Sequence, residues 1–356
     1  MRIFISNMTR SNERTAMVGG GYYNRNSTLQ ALVAEECGGL VTPADVQGKR
    51  ITLADYGCSE GSNSVRMLRR AFESLPEDCS ITIVFNDTPA NDYNSLSTTI
   101  DHFLRVPEVT NSRSIMSLMA PQSYYDQIVP NEYIDIGFST ACLHWISRLQ
   151  PASGDLLPID ADVSAAVLAD ITRFLHTRYH EVRQGGHLLI SFPVDGKLSL
   201  KCAYTSIFES LHDLAAEGTI SKTAASKFRL PFHFRTPEEI AETLHAVKGQ
   251  WQVEEHFTRD VAHPAFLQFQ SKLANSSSGV PNPVDLDTYC QAISGGFIAI
   301  IGNTVVDTAR MLEDKSNSAD TIRTRMVEKL RQRLRKSDFW KVPLGNKYVF
   351  LKLRKI

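Results

Sequence analysis

Apolar residues along the chain fall into two alternating regimes. Ile51 to Asp55, Ile81-Thr82-Ile83-Val84-Phe85 within Ser80 to Asn86, Tyr133 to Phe138 and His187 to Phe192 are short runs of the length of a buried strand. Between them lie stretches at helical spacing. Ser62 to Leu75 places Val65, Leu68, Ala71 and Phe72 on one face before Pro76 and Glu77 break it. Ser95 to Leu104 and Ala161 to Val182 read as further helices, the second ended by Gly185-Gly186 as a stop signal. This alternation predicts an α/β fold with a parallel sheet and ligands at the carboxyl ends of its strands.

Beyond Phe192 the pattern changes. Leu198 to Glu217 and Val284 to Glu313 read as helices, Ala274 to Pro283 as a breaker-rich loop, and Trp251 to Phe257 and Tyr348 to Leu353 as late strands returning to the sheet. Thr321 to Lys336 is rich in Lys and Arg at helical spacing, which predicts a solvated helix face, with nucleic-acid contact as the lesser reading. No internal repeat is present.

Composition narrows the class. The 356 residues suffice for one large domain or two small ones, and the net charge of −1 gives no electrostatic reason to expect nucleic acid or an anionic membrane. No apolar run reads as long enough to span a bilayer. Met1 to Arg14 carries only Ile3-Phe4-Ile5 as an apolar cluster, unlike a secretory signal. Cys37, Cys58, Cys79, Cys142, Cys202 and Cys290 are scattered without a CxxC. They read as reduced thiols of a cytoplasmic protein, with neither a disulfide framework nor a metal site.

The first strand runs into Asp55-Tyr56-Gly57-Cys58-Ser59-Glu60-Gly61, a D-x-G-x-x-x-G turn distinct from the G-x-G-x-x-G of a dinucleotide fold. Glycines let the backbone approach a ligand closely. The adjacent carboxylate suits hydroxyls or a cationic amine better than a pyrophosphate, and so points to S-adenosylmethionine; an ordinary strand–helix turn is the alternative. Asp87, just past the second strand, is placed to accept both hydroxyls of a ribose, or merely opens a loop before Pro89. Pro121-Gln122-Ser123-Tyr124-Tyr125 sets a hydroxyl beside aromatic rings, as an adenine or plain packing would need. Ser139 to Trp145 follows the Tyr133 strand and offers an indole N–H donor, although His144 and Trp145 also suit a core. The N-terminal Gly19 to Gln30 is rich in donors, or is a flexible leader feeding an amphipathic helix.

Taken together these blocks resemble the SABATH family of S-adenosylmethionine-dependent methyltransferases, the salicylate, benzoate and theobromine synthase group. Met17-Val18-Gly19-Gly20 with Tyr23, Asn26, Ser27 and Gln30 is similar to the family's M-N-G-G…S-Y…N-S-x-x-Q opening. Asp55 to Asn63 is similar to D-x-G-C-S-x-G-x-N, Asn86 to Asn94 to N-D-L-P-x-N-D-F-N, and Pro121 to Pro130 to P-G-S-F-Y-x-x-L-F-P. Ser139 to Ser147 is similar to S-S-x-S-L-H-W-L-S; Gly185 to Phe192 and Pro231 to Ile240 follow two further patterns. The chain departs from the family in a shorter leader, in Thr88 and Tyr124 where Leu and Phe are usual, and in a loose match after Leu198.

The resemblance implies a class I methyltransferase fold, a Rossmann-like sheet with helices on both faces over residues 51–195. It implies an N-terminal segment, 1–50, closing over the site, a mainly helical cap over 196–320, and a C-terminal helix and strand over 321–356. It places the ribose at Asp87, the adenine at Ser123 and Tyr124, and the methionine end at Ser27 and Asp55. Tyr23, Gly57, Asn63, Thr88 and Ser139 complete the cofactor set, with Tyr23 and Tyr124 offering π faces to the sulfonium.

Gln30 and Trp145 match the pair that the family associates with carboxyl acceptors, and both are neutral donors. A carboxylate ionises near pH 4, so at pH 7 it is already a nucleophile and needs no general base. A cation beside it would stabilise charge that is lost on methylation and would raise the barrier. The expected acceptor is therefore a small-molecule carboxylic acid, bound by Gln30, His144, Trp145, Phe192 and Phe234. His233 and Arg235 are candidates for a second polar group on it, such as another carboxylate. N- or phenol O-methylation, with His144 as the nearby base, and a silent ligand-binding homologue are the alternatives. The family also implies a homodimer.

Overall fold

The computed structural model describes residues 16–46, 48–110, 113–147, 161–196, 200–230, 232–276, 279–312 and 317–356. The expectations for Met1 to Arg14, and those resting on Leu198, Pro231 and Glu313, lie outside the described residues. The strands are β1 (Arg50–Tyr56), β2 (Ser80–Asp87), β3 (Ser114–Pro121), β4 (Ile134–Thr140), β5 (Val182–Val194), β6 (Trp251–Ala262) and β7 (Gly345–Lys355). The helices are α1 (Tyr22–Asn26), α2 (Thr28–Gly38), α3 (Ser62–Phe72), α4 (Tyr93–Leu104), α5 (Pro107–Thr110), α6 (Ala161–Glu181), α7 (Tyr204–Ala216), α8 (Lys222–Lys227), α9 (Pro237–Ala246), α10 (Pro264–Ala274), α11 (Pro283–Met311) and α12 (Ala319–Lys336).

The strands form one sheet in the order β3-β2-β1-β4-β5-β7-β6. β1 to β5 are parallel, and β7 runs antiparallel between β5 and β6. From β1 the chain builds outward through β2 and β3, then returns to β4 on the other side. The cleft at the carboxyl ends of β1 and β4 is thus the switch point where such sheets bind ligands.

Side chains alternate along β1 and meet different layers. Ile51 and Leu53 pack with Val33, Met67, Leu68 and Leu96 of α2, α3 and α4. Ala54 and Tyr56 pack with Phe174 and Leu175 of α6 and Ile240 of α9. Helices therefore cover both faces, and Asp55, by the two-residue period, faces the α2–α3 layer. A third core joins α7, α11 and α12 through Leu211, Leu214, Ile298, Met326 and Leu330 and forms the cap.

Several expectations are corrected. α6 ends at Glu181 and β5 begins at once, so Gly185-Gly186 does not stop a helix. The pair lies where the β4–β5 register shifts; Gly185 has φ +73°, and a Cβ on Gly186 would sit 2.8 Å from the Asp135 carbonyl. These glycines form a bulge. β3 was not expected, because this edge strand mixes Ser114 and Ser117 with half-exposed apolar residues. α11 is, by length and composition, apolar enough to cross a bilayer, yet 72% of its apolar window is buried inside the cap.

The cations of α12 lie on a partly exposed face, as expected, and are ion-paired there. Arg325 and Lys329 meet Glu217, Arg331 and Arg335 meet Asp287, and Arg333 meets Asp213, so they tie α12 to acids of the α7 end and of α11.

Candidate active site

Positive φ values at Gly57 (+95°), Ser59 (+48°) and Gly61 (+88°) fold the chain after β1 into a tight turn entering α3. A side chain at Gly57 would collide with Cys142 Sγ. The Gly57 and Cys58 N–H groups both donate to the Asn86 carbonyl, at 2.8 and 3.0 Å. The Asn86 side chain in turn donates to the carbonyls of Ala120 and Gln122, each at 2.8 Å, lacing the ends of β1, β2 and β3 together. Asp87 accepts the N–H groups of Ser59 and Thr88, both at 2.7 Å, which aims its carboxylate across the turn.

Asp55 is 2% exposed. Burial pushes its carboxyl up to about 7; the Ser64 hydroxyl opposes that rise and the Asp87 charge adds to it. Four buried polar atoms at these strand ends lack a hydrogen-bond partner among the described residues: Asp55 Oδ1, Ser59 Oγ, Asn86 Oδ1 and Thr88 Oγ1. Buried polar groups are normally paired, so such a concentration marks a ligand's place.

The N-terminal segment crosses this turn. Glu60, 1% exposed, accepts the Gly21 N–H at 2.6 Å and the Asn24 N–H at 2.9 Å. Asn24 reciprocates, donating to the Glu60 carbonyl and accepting the Ser62 N–H. Asp92, the N-cap of α4, accepts the Gly20 N–H at 2.7 Å. Ser27 and Asn63 face each other at 3.2 Å. Burial pushes the Tyr23 phenol up, with Cys142, Tyr348 and Asp87 adding to the rise and Asn63 opposing it.

The loop after β3 forms the opposite wall. The Ser123 hydroxyl accepts the Tyr125 N–H, and the Tyr124 ring lies beside Gly57. Behind it Arg178 donates to the Tyr124 carbonyl at 2.6 Å and the Asp126 carbonyl at 2.8 Å. Its partner Glu181 accepts the Tyr56 hydroxyl at 2.8 Å and the Ile128 N–H at 2.5 Å.

A narrow cavity of about 50 Å³ lies between this cleft and the cap. Phe232, Phe234, Phe297 and Ile301 wall it, and its polar lining comes from Gln30, His144, Tyr204, Asn346 and Tyr348. Among the described residues that line it, none is a Lys, Arg, Asp or Glu. The Gln30 carboxamide makes no hydrogen bond among the described residues.

Gln30, His144 and Phe234 thus line the cavity as expected, but others do not. Phe192 is fully buried under the Arg235 guanidinium in the α6 layer; the neighbouring Pro193 points the other way and lines the cavity. Ser139 is also fully buried, and its hydroxyl donates to the Tyr56 carbonyl at 3.0 Å, so it joins β4 to β1 and does not open into the cleft. Trp145 adjoins the cavity, edge-to-face on Phe232 at 5.6 Å and paired to it through the backbone.

His233 is held by Glu239 at 2.9 Å, while Arg235 donates to the carbonyls of Leu143 and Val167. Both are taken up structurally. The adjoining Thr236-Pro237-Glu238-Glu239 is a capping box that starts α9.

A family model described as SAM-dependent carboxyl methyltransferase matches residues 14–155 and 165–329. The chain belongs to that family. Methyltransferase LUC1 of Fusarium sp is 30% identical over 262 residues, covering 70% of this chain and 72% of its own. The salicylate/benzoate carboxyl methyltransferase of Arabidopsis thaliana is 26% identical over 273 residues, covering 67% and 71%. A loganic acid methyltransferase solved with SAH superposes with a TM-score of 0.69 at 17% identity over 96% of this chain and 98% of that one, a likeness of fold.

The protein is therefore an S-adenosylmethionine-dependent methyltransferase of the SABATH group, acting on small molecules, on the class I fold. The cleft fits that cofactor. Asp55 and Asp87 offer acceptors for an ammonium and for ribose hydroxyls, and the unpaired Ser59 and Thr88 hydroxyls lie beside them. Glu60, Asn24, Asn86, Arg178 and Tyr348 were not assigned from sequence. Glu60, Asn24 and Asn86 lie inside the recognised blocks, whereas Arg178 and Tyr348 carry no local signal.

Proposed function

We propose that this methyltransferase esterifies the carboxylate of a small-molecule acid. The observation that carries the reading is the cavity beside the cofactor cleft, apolar and uncharged, with the unpaired Gln30 carboxamide in its wall. A carboxylate needs one or two neutral donors to aim an oxygen, and Gln30 with the adjoining Trp145 is suited to supply them. Cations in the lining would instead hold the charge that methylation removes.

When bound, S-adenosylmethionine supplies an electrophilic methyl carbon on a sulfonium. The chain's own work is positioning. The glycine turn, Asp87 and Asp55 fix one reactant, Gln30 and the aromatic walls fix the other, and the N-terminal segment held by Glu60 shuts out water. Well-oriented reactants reach effective molarities on the order of 10⁵–10⁸ M, so alignment alone can supply much of the rate. No proton has to be removed from a carboxylate at pH 7, and the reading requires no base.

The test is a methyl-transfer assay with labelled cofactor on a panel of carboxylic acids, xanthines and phenols. A base-labile methyl ester on an acid supports the reading. Transfer only to nitrogen or to a phenol oxygen overturns it.

A further inference from the structure

One face of α11 receives the N-terminal segment. Asn303 lies on it, and its Nδ2 donates to two successive carbonyls of the segment, those of Ala16 at 3.0 Å and Met17 at 3.1 Å. Arg323 of α12 donates to Asn303 Oδ1 at 2.8 Å. A guanidinium only donates and a backbone carbonyl only accepts, so the network fixes which way this carboxamide points. One turn earlier in α11, the Ala299 carbonyl accepts the Val18 N–H at 3.0 Å.

The segment comes this close because the face lacks a side chain at two places. A Cβ on Gly302 would stand 3.0 Å from Val18 Cγ2, and one on Gly295 would stand 2.5 Å from Asn26 Oδ1. Positions 295, 299, 302 and 303 share a face by helical period. Phe297, Ile300 and Ile301, which wall the acceptor cavity, fall on the other side of the same helix. The segment is thus anchored twice: to the cap at residues 16–18, and to the cofactor turn at residues 20–24, where Asp92 and Glu60 hold it. It carries Tyr23, within electrostatic reach of Asp87 and Cys142, and leads directly into Ser27 and Gln30.

We propose that Asn303 is a positioning residue for methyl transfer. It lies outside the acceptor cavity and acts through the segment, which it fixes from the cap side so that Tyr23, Ser27 and Gln30 keep their places. Cofactor affinity then depends on a side chain of the cap. The inference rests on the methyl transfer of the family and not on the carboxyl reading above.

Asn303→Asp provides the test. The carboxylate has the size of the carboxamide and still accepts from Arg323, but it turns lone pairs toward the Ala16 and Met17 carbonyls where an N–H₂ stood. It releases the segment while α11 stays tied to α12. SAH affinity of the full chain is measured by calorimetry, with amide hydrogen exchange of the ligand-free protein alongside. The Kd for SAH is expected to rise about tenfold, as two hydrogen bonds are lost. Amides of residues 18–24 are expected to exchange faster while those of β1 and β4 keep their protection, a local signature that general destabilisation would not give. Arg323→Met removes only the group that orients Asn303 and carries the same test should Asn303→Asp fail to fold; its Kd is expected to rise about threefold.

Glu60→Ala loosens the other anchor of the same segment. Losses at independent sites multiply, whereas two anchors of one segment do not, so the double variant with Asn303→Asp is expected to bind SAH within about twofold of the weaker single one. Unchanged SAH affinity in Asn303→Asp and Arg323→Met, or losses that multiply in the double variant, overturn the assignment of Asn303 and leave carboxyl methylation standing.

Discussion

The Arg178 guanidinium lies 2.9 Å from the Glu181 carboxylate, and neither side chain has any exposed surface. The pair supports the cofactor cleft from behind, Arg178 through the Tyr124 and Asp126 carbonyls and Glu181 through the Tyr56 hydroxyl and the Ile128 N–H. Breaking a buried pair leaves an uncompensated charge, which costs about 3–5 kcal/mol. Arg178→Met is therefore expected to lower unfolding free energy by that amount in urea titration. The double variant with Glu181→Met should lose less than the sum of the single ones. Additive losses would show that the two residues act separately.

Glu60 ties the N-terminal segment to the glycine turn through two backbone N–H groups. Glu60→Ala leaves both donors without their acceptor, a loss of about 1–3 kcal/mol. Cofactor affinity, measured by calorimetry, is expected to fall about tenfold, and limited proteolysis should cut sooner within residues 16–30. Unchanged affinity would remove this segment from the cofactor site.

Asp55, with its carboxyl pushed up to about 7 by burial, should make cofactor binding pH-dependent. In the unfolded chain the group ionises near pH 3.9. Between that value and about 7 only the folded state holds the proton, so the contribution of Asp55 to stability falls as pH rises through this window and levels off above it. A cationic ligand favours the carboxylate, so cofactor affinity should rise from pH 6 to pH 8 (about a unit either side of that value) with release of a proton. Asp55→Asn should flatten the profile. A wild-type profile already flat over this range would place the ammonium elsewhere.

Gln30→Ala is expected to reduce kcat/KM for acid methylation by about 10²-fold or more while cofactor affinity stays within a few-fold, since its carboxamide lines the acceptor cavity. Trp145→Ala should act in the same direction and also loosen Phe232, against which the indole packs. Loss of cofactor binding with the fold intact would reassign Gln30 to the cofactor.

The cofactor edge was legible because its signals are local. A glycine turn with an acid at a fixed offset, and an Asp at the next strand end, carry their geometry in their spacing. The family blocks added the cavity-lining Gln30 and His144. What could not be read depends on long-range partners. Arg178 in α6 looks like any cation on an amphipathic helix until its partners at Tyr124 and Asp126 are seen. Tyr348 looked like a strand residue, and only the sheet order brings β7 alongside β5 and its side chain into the cavity. Phe192 was misplaced for a simpler reason: along a strand one residue decides the face, and Pro193 rather than Phe192 lines the cavity.

The central claim is that a carboxylate oxygen of the acceptor attacks the cofactor's methyl carbon directly. Its most direct test is the mass spectrum of the product formed from an acid labelled with ¹⁸O at both carboxyl oxygens and a cofactor labelled in its methyl group. The product is expected to keep both labelled oxygens, to carry the labelled methyl, and to lose that methyl on mild alkaline hydrolysis. A labelled methyl that survives alkali, or an ester that has exchanged one of its oxygens, would contradict the account.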